Sequence, residues 1–325
     1  MRPCPLCGQR DDLPSAAAGR ARGGGGGDAP WVACRGCGLL LRDAPPGPFV
    51  DHCGEEYFAP TSAELLAHLR RRAAGRLQKV SRYRRGGRLL EVGCGAGEFL
   101  EACAAQGGWE VQGIEPSPAG AAPARARGLD VTCAPLEDVA LPSAAFDVVV
   151  AWHVLEHLWD PLAALQQLGA TLRADGMLFL EVPNASCLGA RLFRQQWISM
   201  ASPGHTVLFT ARTLGALLAR AGFRVFAWPD PTGADLVDAR YTIAVSLRAR
   251  VQATFPGLLG HGAGRPAGAI VPGPSLGRPW SAPLRLARRL AFRSATGMVF
   301  RAERSLGPRP VLCVTAARAT ARDAA

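Results

Sequence analysis

Leu89-Leu90-Glu91-Val92-Gly93-Cys94-Gly95-Ala96-Gly97-Glu98-Phe99-Leu100 reads as strand, tight turn and helix in immediate succession. An apolar run ends at Glu91, glycines follow at alternate positions 93, 95 and 97, and apolar residues resume at helical spacing with Phe99, Leu100 and Cys103. Glycine at such a turn permits positive φ and lets a ligand approach backbone where any Cβ would collide. The first N–H groups of the following helix, which have no partner inside it, then face that ligand.

Downstream the pattern recurs. A helix over 98–106 leads to Trp109–Pro116, a strand closing on the acid Glu115. A carboxylate at the end of the second strand, roughly twenty residues past the glycines, accepts hydrogen bonds from the ribose hydroxyls of an adenosine. Leu129–Thr132 is a short third strand, followed by Leu136-Glu137-Asp138 and a loop. Phe146–Ala151 is a fourth strand running into Trp152-His153-Val154-Leu155-Glu156-His157-Leu158-Trp159-Asp160-Pro161. Asp160 is an N-cap and Pro161 a first-turn proline, opening a helix expected to reach Leu172. Arg173–Gly176 then turns into a fifth strand, Met177–Val182. Apolar strands alternating with helices predict an α/β fold, a doubly wound and mostly parallel sheet with ligands at the strands' carboxyl ends.

Upstream, residues 61–84 read as a helix with a capping box, Thr61-Ser62-Ala63-Glu64, and apolar positions at Leu65, Leu66, Leu69, Leu77 and Val80. Arg70, Arg71, Arg72, Arg76, Lys79, Arg82, Arg84 and Arg85 read as its solvated face. In a nucleotide-binding domain this helix would cover the cofactor mouth, with Tyr57 either lining that mouth or packing. Further back stand Cys4-Pro5-Leu6-Cys7-Gly8 and Cys34-Arg35-Gly36-Cys37-Gly38. Two C-x-x-C pairs make one tetrahedral thiolate site, so Cys4, Cys7, Cys34 and Cys37 are expected to hold a structural Zn²⁺. Four unconnected thiols are the plainer reading. A redox C-x-x-C is disfavoured because neither pair precedes a helix in a βαβ unit. The run Gly23–Gly27 is a flexible loop between the knuckles, and His52 and Cys53 lack ligand spacing. A segment this short and glycine-rich cannot build its own core, which is what a metal would supply.

The 325 residues, 48% hydrophobic, suffice for one large core plus a small satellite. No apolar run of about 18 residues is present to span a bilayer, and the first residues do not resemble a signal peptide, so a cytoplasmic location is expected. In a reducing compartment, spaced pairs among the ten cysteines point to metal before disulfide. The net charge of +11 is mostly arginine and permits nucleic acid, an anionic substrate or a membrane surface without selecting one.

Taken together, Leu90–Gly97, Glu115, Leu136-Glu137-Asp138, Phe146-Asp147-Val148-Val149 and Leu155–Pro161 resemble a class I S-adenosylmethionine-dependent methyltransferase over residues 85–228. The cysteine-rich front end, with Val182-Pro183-Asn184, Trp197, Pro203-Gly204-His205, Phe209-Thr210 and Ala221-Gly222-Phe223, is similar to a subgroup associated with sugar, glycan or secondary-metabolite methylation. The resemblance implies a Rossmann-like seven-stranded sheet preceded by a small zinc ribbon. It places Gly93, Gly95 and Gly97 against the methionine part of S-adenosylmethionine, counts Glu91 among the cofactor residues, and puts Glu115 on the ribose. Leu136 and Glu137 would flank the adenine, where Pro135 replaces an Asp common in relatives, so adenine recognition would rely on backbone groups. His153 would lie at the floor of the site.

The family closes its sheet with an antiparallel strand pair. Phe223–Trp228 fits its sixth strand and Pro310–Thr315 its seventh, with Tyr241–Leu247 the competitor for the seventh. The expected division is a zinc-ribbon-like module at 1–55, a linker helix at 56–87, an S-adenosylmethionine-binding core at 88–228, an insertion at 229–309 and a last strand with tail at 310–325. Within the insertion, apolar residues interleaved with arginines over 283–304 could form a basic amphipathic helix. It would dock on a membrane surface or protein partner, or pack on the core.

Methyl transfer from a sulfonium is an in-line displacement that needs positioning and, for a hydroxyl or activated carbon, a base. His157 and His205 are the candidate bases, each expected at a strand's carboxyl end; a purely structural role is the alternative for His157. Glu156 could orient a histidine or meet the cofactor's amino group. Methylation of exocyclic base amines is disfavoured because Ala151-Trp152-His153-Val154 stands where an Asn/Asp-Pro-Pro-aromatic motif would be. Carbon-5 pyrimidine chemistry is disfavoured because the only Pro-Cys, Pro3-Cys4, belongs to the metal-site candidates. The leading expectation is O- or C-methylation of a sugar, glycan or other small metabolite. The alternatives are an RNA methyltransferase, against which scattered arginines argue, and a non-catalytic zinc-binding scaffold.

Overall fold

The computed structural model describes residues 3–9, 31–42, 63–202, 204–229, 233–254, 294–296, 298–299 and 310–319, with backbone alone over 233–241. The expected cap at Thr61-Ser62, Tyr57, the Gly23–Gly27 loop, His52 and Cys53, and nearly all of 283–304 lie outside the described residues.

Two short strands, β1 (Trp31–Ala33) and β2 (Leu40–Arg42), pair antiparallel around the second cysteine knuckle. Helix α1 (Ala63–Ser81) leads to β3 (Gly87–Val92), α2 (Glu98–Gln106), β4 (Trp109–Ile114), α3 (Pro118–Ala126) and β5 (Asp130–Thr132). Then come β6 (Phe146–Trp152), α4 (Pro161–Thr171) and β7 (Leu172–Pro183). Two short helices, α5 (Leu188–Phe193) and α6 (Ile198–Ala201), precede β8 (Val207–Leu208), α7 (Ala211–Arg220), β9 (Phe223–Ala227), α8 (Gly233–Thr254) and β10 (Val311–Arg318).

The main sheet has seven strands in the order β5-β4-β3-β6-β7-β10-β9. Strands β3 to β7 pair in parallel, and β10 enters antiparallel between β7 and β9. The chain winds outward from β3 through β4 to β5, then crosses to β6. That reversal opens the crevice between β3 and β6, where such sheets bind ligands. Both sheet faces are covered. Leu90, Val92, Ile114, Val149, Leu165, Leu168, Leu178 and Leu180 form one core layer. Leu77, Val80, Leu89, Phe99, Leu100, Val148, Val150 and Phe179 form the other. Neighbours along a strand point to opposite faces, so strands buried on both sides must be apolar along their length, as Val148–Trp152 is; Asp147, at the strand's start, is paired with Arg173.

Three expectations change in detail. Tyr241–Leu247, the competitor for the seventh strand, lies inside α8. Ile243 is buried with Phe193, Trp197 and Leu208, and the Ser246 hydroxyl donates to Thr242 O at 2.7 Å and accepts from Ile198 N–H at 3.0 Å. A β-branched run is helical here because tertiary packing overrides local preference. The turn 173–176 is absorbed into β7, whose pairing with β6 shifts from Phe146↔Leu172 to Val148↔Met177, a bulge of extra residues on one strand. Finally, the basic side of α1 is not wholly solvated, because Arg76 and Lys79 are each 6% exposed. They sit on the inward stripe with Ala73, Leu77 and Val80, and Glu181 of β7 pairs with both: Arg76 Nη2 to Oε2 is 2.7 Å and Lys79 Nζ to Oε1 is 2.6 Å.

A candidate cofactor cleft and acceptor site

The glycine turn has the backbone its sequence demands. Gly93, Gly95 and Gly97 have φ of +69°, +53° and +88°. A Cβ on Gly93 would lie 2.5 Å from Val154 Cγ2, and one on Gly97 would lie 2.6 Å from Leu129 Cδ1. Gly93 N–H is held by Ile114 O at 2.7 Å, and Gly97 begins α2 without a side-chain cap. Facing the turn from the end of β4, Glu115 is nearly buried. Its Oε2 accepts Gly95 N–H at 2.8 Å and its Oε1 accepts Ser117 N–H at 2.9 Å. Two amides thus aim this carboxylate while leaving acceptor capacity on each oxygen for a ribose diol.

Glu91, next to last in β3 and just before the glycines, is buried, and its Oε2 has no hydrogen-bond partner. Burial pushes its pKa well above the usual carboxylate range; the neighbouring Glu98 and Glu115 add to this and Arg76 opposes it. An orphaned carboxyl oxygen beside the cradle is what the ammonium of an amino-acid tail would satisfy. The cradle, Glu115 and Glu91 therefore fit S-adenosylmethionine. Leu136 is buried in the core, in a short 3₁₀ turn whose carbonyl accepts from Gln167 Nε2 at 3.2 Å, while Glu137 beside it is exposed.

At the end of β6 the backbone turns sharply. His153 has φ of +59°, a left-handed conformation uncommon for a side-chain-bearing residue, and its N–H donates to Glu181 O at 2.8 Å. Strain of this kind collects at functional sites. Glu156 follows in a 3₁₀ turn, Leu155–His157, and its Oε1 meets His153 Nδ1 at 3.2 Å. Burial raises the Glu156 pKa, but the hydrogen bond from His153 and the charges of His153 and His157 outweigh it and bring it below the ordinary value.

His157 and His205, 48 positions apart, stand edge to face with ring centroids 4.6 Å apart. His157 Nδ1 lies 3.1 Å from Gly204 O and His205 Nδ1 lies 2.7 Å from Ser199 O. Burial, then the charge of His157, lowers the His205 pKa to about 3, so its ring is neutral at physiological pH. The two candidate bases are therefore one cluster with Glu156 at its base. Val154, which abuts Gly93, ties that cluster to the glycine turn.

The four front-end cysteines also come together, each offering a sulfur within 4.8 Å of the others. Cys4–Cys37 and Cys7–Cys34 sulfur separations are both 3.5 Å. Sulfurs about 2.3 Å from a tetrahedral Zn²⁺ stand about 3.8 Å apart, so the cluster fits that ion with little adjustment. The knuckles are built alike: Gly8 N–H donates to Cys4 O at 2.8 Å and Gly38 N–H to Cys34 O at 2.7 Å, with both glycines at positive φ.

Sequence reasoning did not anticipate Trp31, Arg42 and Met200. Trp31 Nε1 and Arg42 Nη2 donate to Met200 O at 2.9 and 2.7 Å, and β2 pairs with β8. Glu181 was missed too, although one acid inside the apolar run Met177–Val182 signals a buried partner.

A doubly wound seven-stranded sheet with a glycine cradle and an acid on the neighbouring strand defines a Rossmann-like, S-adenosylmethionine-binding methyltransferase fold. The chain belongs to the methyltransferase-domain family, class I, whose model matches residues 65–227. A protein of Mycobacterium tuberculosis H37Rv named a probable S-adenosylmethionine-dependent methyltransferase is 34% identical over 139 residues, 42% of this chain and 48% of that protein. A ubiquinone biosynthesis O-methyltransferase of Neisseria meningitidis serogroup C is 32% identical over 108 residues, 31% of this chain and 45% of that one. The chain spans about half the length of the curated relatives it matches. A solved complex of a Haloferax volcanii methyltransferase activator with a protein designated a methyltransferase superposes with a TM-score of 0.50 at 13% identity, over 77% of this chain and 90% of that one, and shows the fold alone. Among the described residues no helix is long and apolar enough to cross a membrane.

Proposed function

We propose that this protein methylates an oxygen, or a carbon next to a carbonyl, on a small metabolite, with a sugar or sugar-linked acceptor as the leading class. The observation that carries the reading is the histidine pair held beside the glycine cradle through Val154. When bound, the cofactor supplies a methyl group on a positively charged sulfur. The chain's own residues do the rest. Glu115 orients the adenosine, the cradle and Glu91 meet the amino-acid tail, and neutral His205 holds an electron pair toward the acceptor's proton.

Among the described residues, six arginines are committed to partners within the chain, which supports a small acceptor over RNA. Arg84 pairs with Asp175, Arg88 with Glu110, Arg127 with Glu101, and Arg173 with Asp147. Arg212 and Arg220 donate to the backbone of the cysteine module. Charges committed to intramolecular partners do not form the open basic stripe that tracks a phosphate backbone. The four-cysteine cluster takes a structural Zn²⁺ in this reading, and a cytoplasmic location accords with free thiols.

Calorimetry with S-adenosylmethionine, followed by transfer of a labelled methyl group to panels of nucleotide sugars, hydroxylated aromatics and RNA, tests the proposal. Glu115→Ala should weaken cofactor binding by about 1–3 kcal/mol. A protein that binds no cofactor would be a zinc-binding scaffold, and transfer to RNA with a steep salt dependence would overturn the small-acceptor assignment.

A further inference from the structure

The cluster at Glu156 carries more than a proton acceptor needs. Glu156 is 1% exposed, and its Oε2 has no hydrogen-bond partner while Oε1 meets His153. A buried carboxylate oxygen without a donor is costly, so a cation or donor belongs there. Glu156, His157 and His205 each offer one ligand atom, and these lie within 4.8 Å of one another. Both imidazoles present Nδ1 to a backbone carbonyl, His157 to Gly204 and His205 to Ser199. An Nδ1–H given to a carbonyl places the ring's electron pair on Nε2 and fixes the ring plane, as outer partners do for metal-bound histidines. Two imidazoles and one carboxylate gathered on one side of an ion leave its other positions open.

We propose that Glu156, His157 and His205 form a second metal site, distinct from the cysteine cluster, that takes a divalent first-row transition ion. The ion supplies the partner that Glu156 Oε2 lacks. Its open positions face a pair of adjacent oxygens on the acceptor, such as a vicinal diol, and lower the pKa of the hydroxyl they touch, the proton passing to water. This rests on the methyl-transfer reading for the identity of the acceptor and deepens it. The cluster then activates the acceptor through the ion, with the histidines as ligands and no longer as the base.

The test uses the full chain with zinc at the cysteines, titrated with Mn²⁺ while free ion is followed by electron paramagnetic resonance. Mn²⁺ favours oxygen and nitrogen ligands over thiolate, which separates the two sites. A parallel Co²⁺ titration is read by visible absorption. One Mn²⁺ per chain is expected beyond the zinc, with Co²⁺ bands of nitrogen and oxygen ligation and no thiolate charge-transfer bands. His205→Ala and Glu156→Gln should each weaken Mn²⁺ uptake by about tenfold or more, with zinc content and cofactor affinity unchanged. Wild-type protein that takes up neither ion beyond the cysteine site overturns the proposal whatever the variants do. Cofactor binding by that same sample keeps the methyl-transfer reading standing. Mn²⁺ uptake undiminished in both variants also overturns it, because the ion then lies elsewhere.

Discussion

Leu41 of the cysteine module is paired with Val207, two residues beyond His205. The adjacent Arg42 N–H donates to Thr206 O at 3.0 Å, and the Arg42 guanidinium reaches Met200 O on the other side of His205. The module thus holds both flanks of the segment that carries one half of the histidine pair. Its own core is small, Cys4, Leu6, Cys34, Leu39 and Leu41, and merges with that of the main domain.

On the zinc reading of the cysteine cluster, losing that ion should be felt at the acceptor site. Chelation, or Cys34→Ser, is expected to raise hydrogen exchange over 198–209 as well as over 31–42, while β3 and β4 stay protected. Exchange that rises in the module alone would show that the strand pairing to β8 does not depend on the metal.

Gly93→Ala sets a Cβ 2.5 Å from Val154 Cγ2 at a φ of +69°. It is expected to cost about 1–3 kcal/mol of stability in urea titrations and to weaken cofactor binding. Adding Val154→Ala removes the collision but not the φ strain, so the pair should recover only part of the loss. Full recovery would assign the whole effect to the side-chain contact.

In the unliganded protein burial first, with Glu98 and Glu115 adding to it against Arg76, raises the Glu91 pKa well above 4.5 and so favours its protonated form. A folded pKa raised this way means its contribution to stability is present below the unfolded value and is lost as pH rises. An ammonium placed beside it reverses the shift, so cofactor binding should release up to one proton and tighten as pH increases. Calorimetry in buffers of different ionisation enthalpy reads this directly. Glu91→Gln should remove the buffer dependence, and heats already independent of buffer in the wild type would place the ammonium elsewhere.

Glu181 shows the opposite sign. Burial alone would raise its pKa, but Arg76 first and Lys79 next hold it far below 4.5. Its stabilisation is present above about pH 4.5 and lost as pH falls toward the folded value. Glu181→Gln removes the carboxylate that the two buried cations share and should cost about 3–5 kcal/mol at neutral pH. The variant's stability should also fall less steeply below pH 4.5 than the wild type's. A loss much smaller than this in urea titrations would mean that water reaches Arg76 and Lys79.

The parallel sheet, the glycine turn and the acid at Glu115 are legible in the chain without its fold. These are local facts: apolar strands buried on both faces, a backbone that only glycine tolerates, and a fixed spacing from turn to acid. The sequence also grouped Cys4, Cys7, Cys34 and Cys37 as one candidate ligand set, since two C-x-x-C pairs have the spacing of metal knuckles, and the four sulfurs do come together. That Arg76 and Lys79 face inward follows from the folded arrangement alone, because a charge reads as solvated until its partner, here Glu181, is brought from 102 residues or more away. Likewise Tyr241–Leu247 reads as a strand until Trp197 and Phe193 pack on Ile243 as part of a helix. The joining of His157 to His205 and the pairing of Leu41 with Val207 belong to the same class. They depend on where a long connection returns to the sheet, and local propensity carries no record of that.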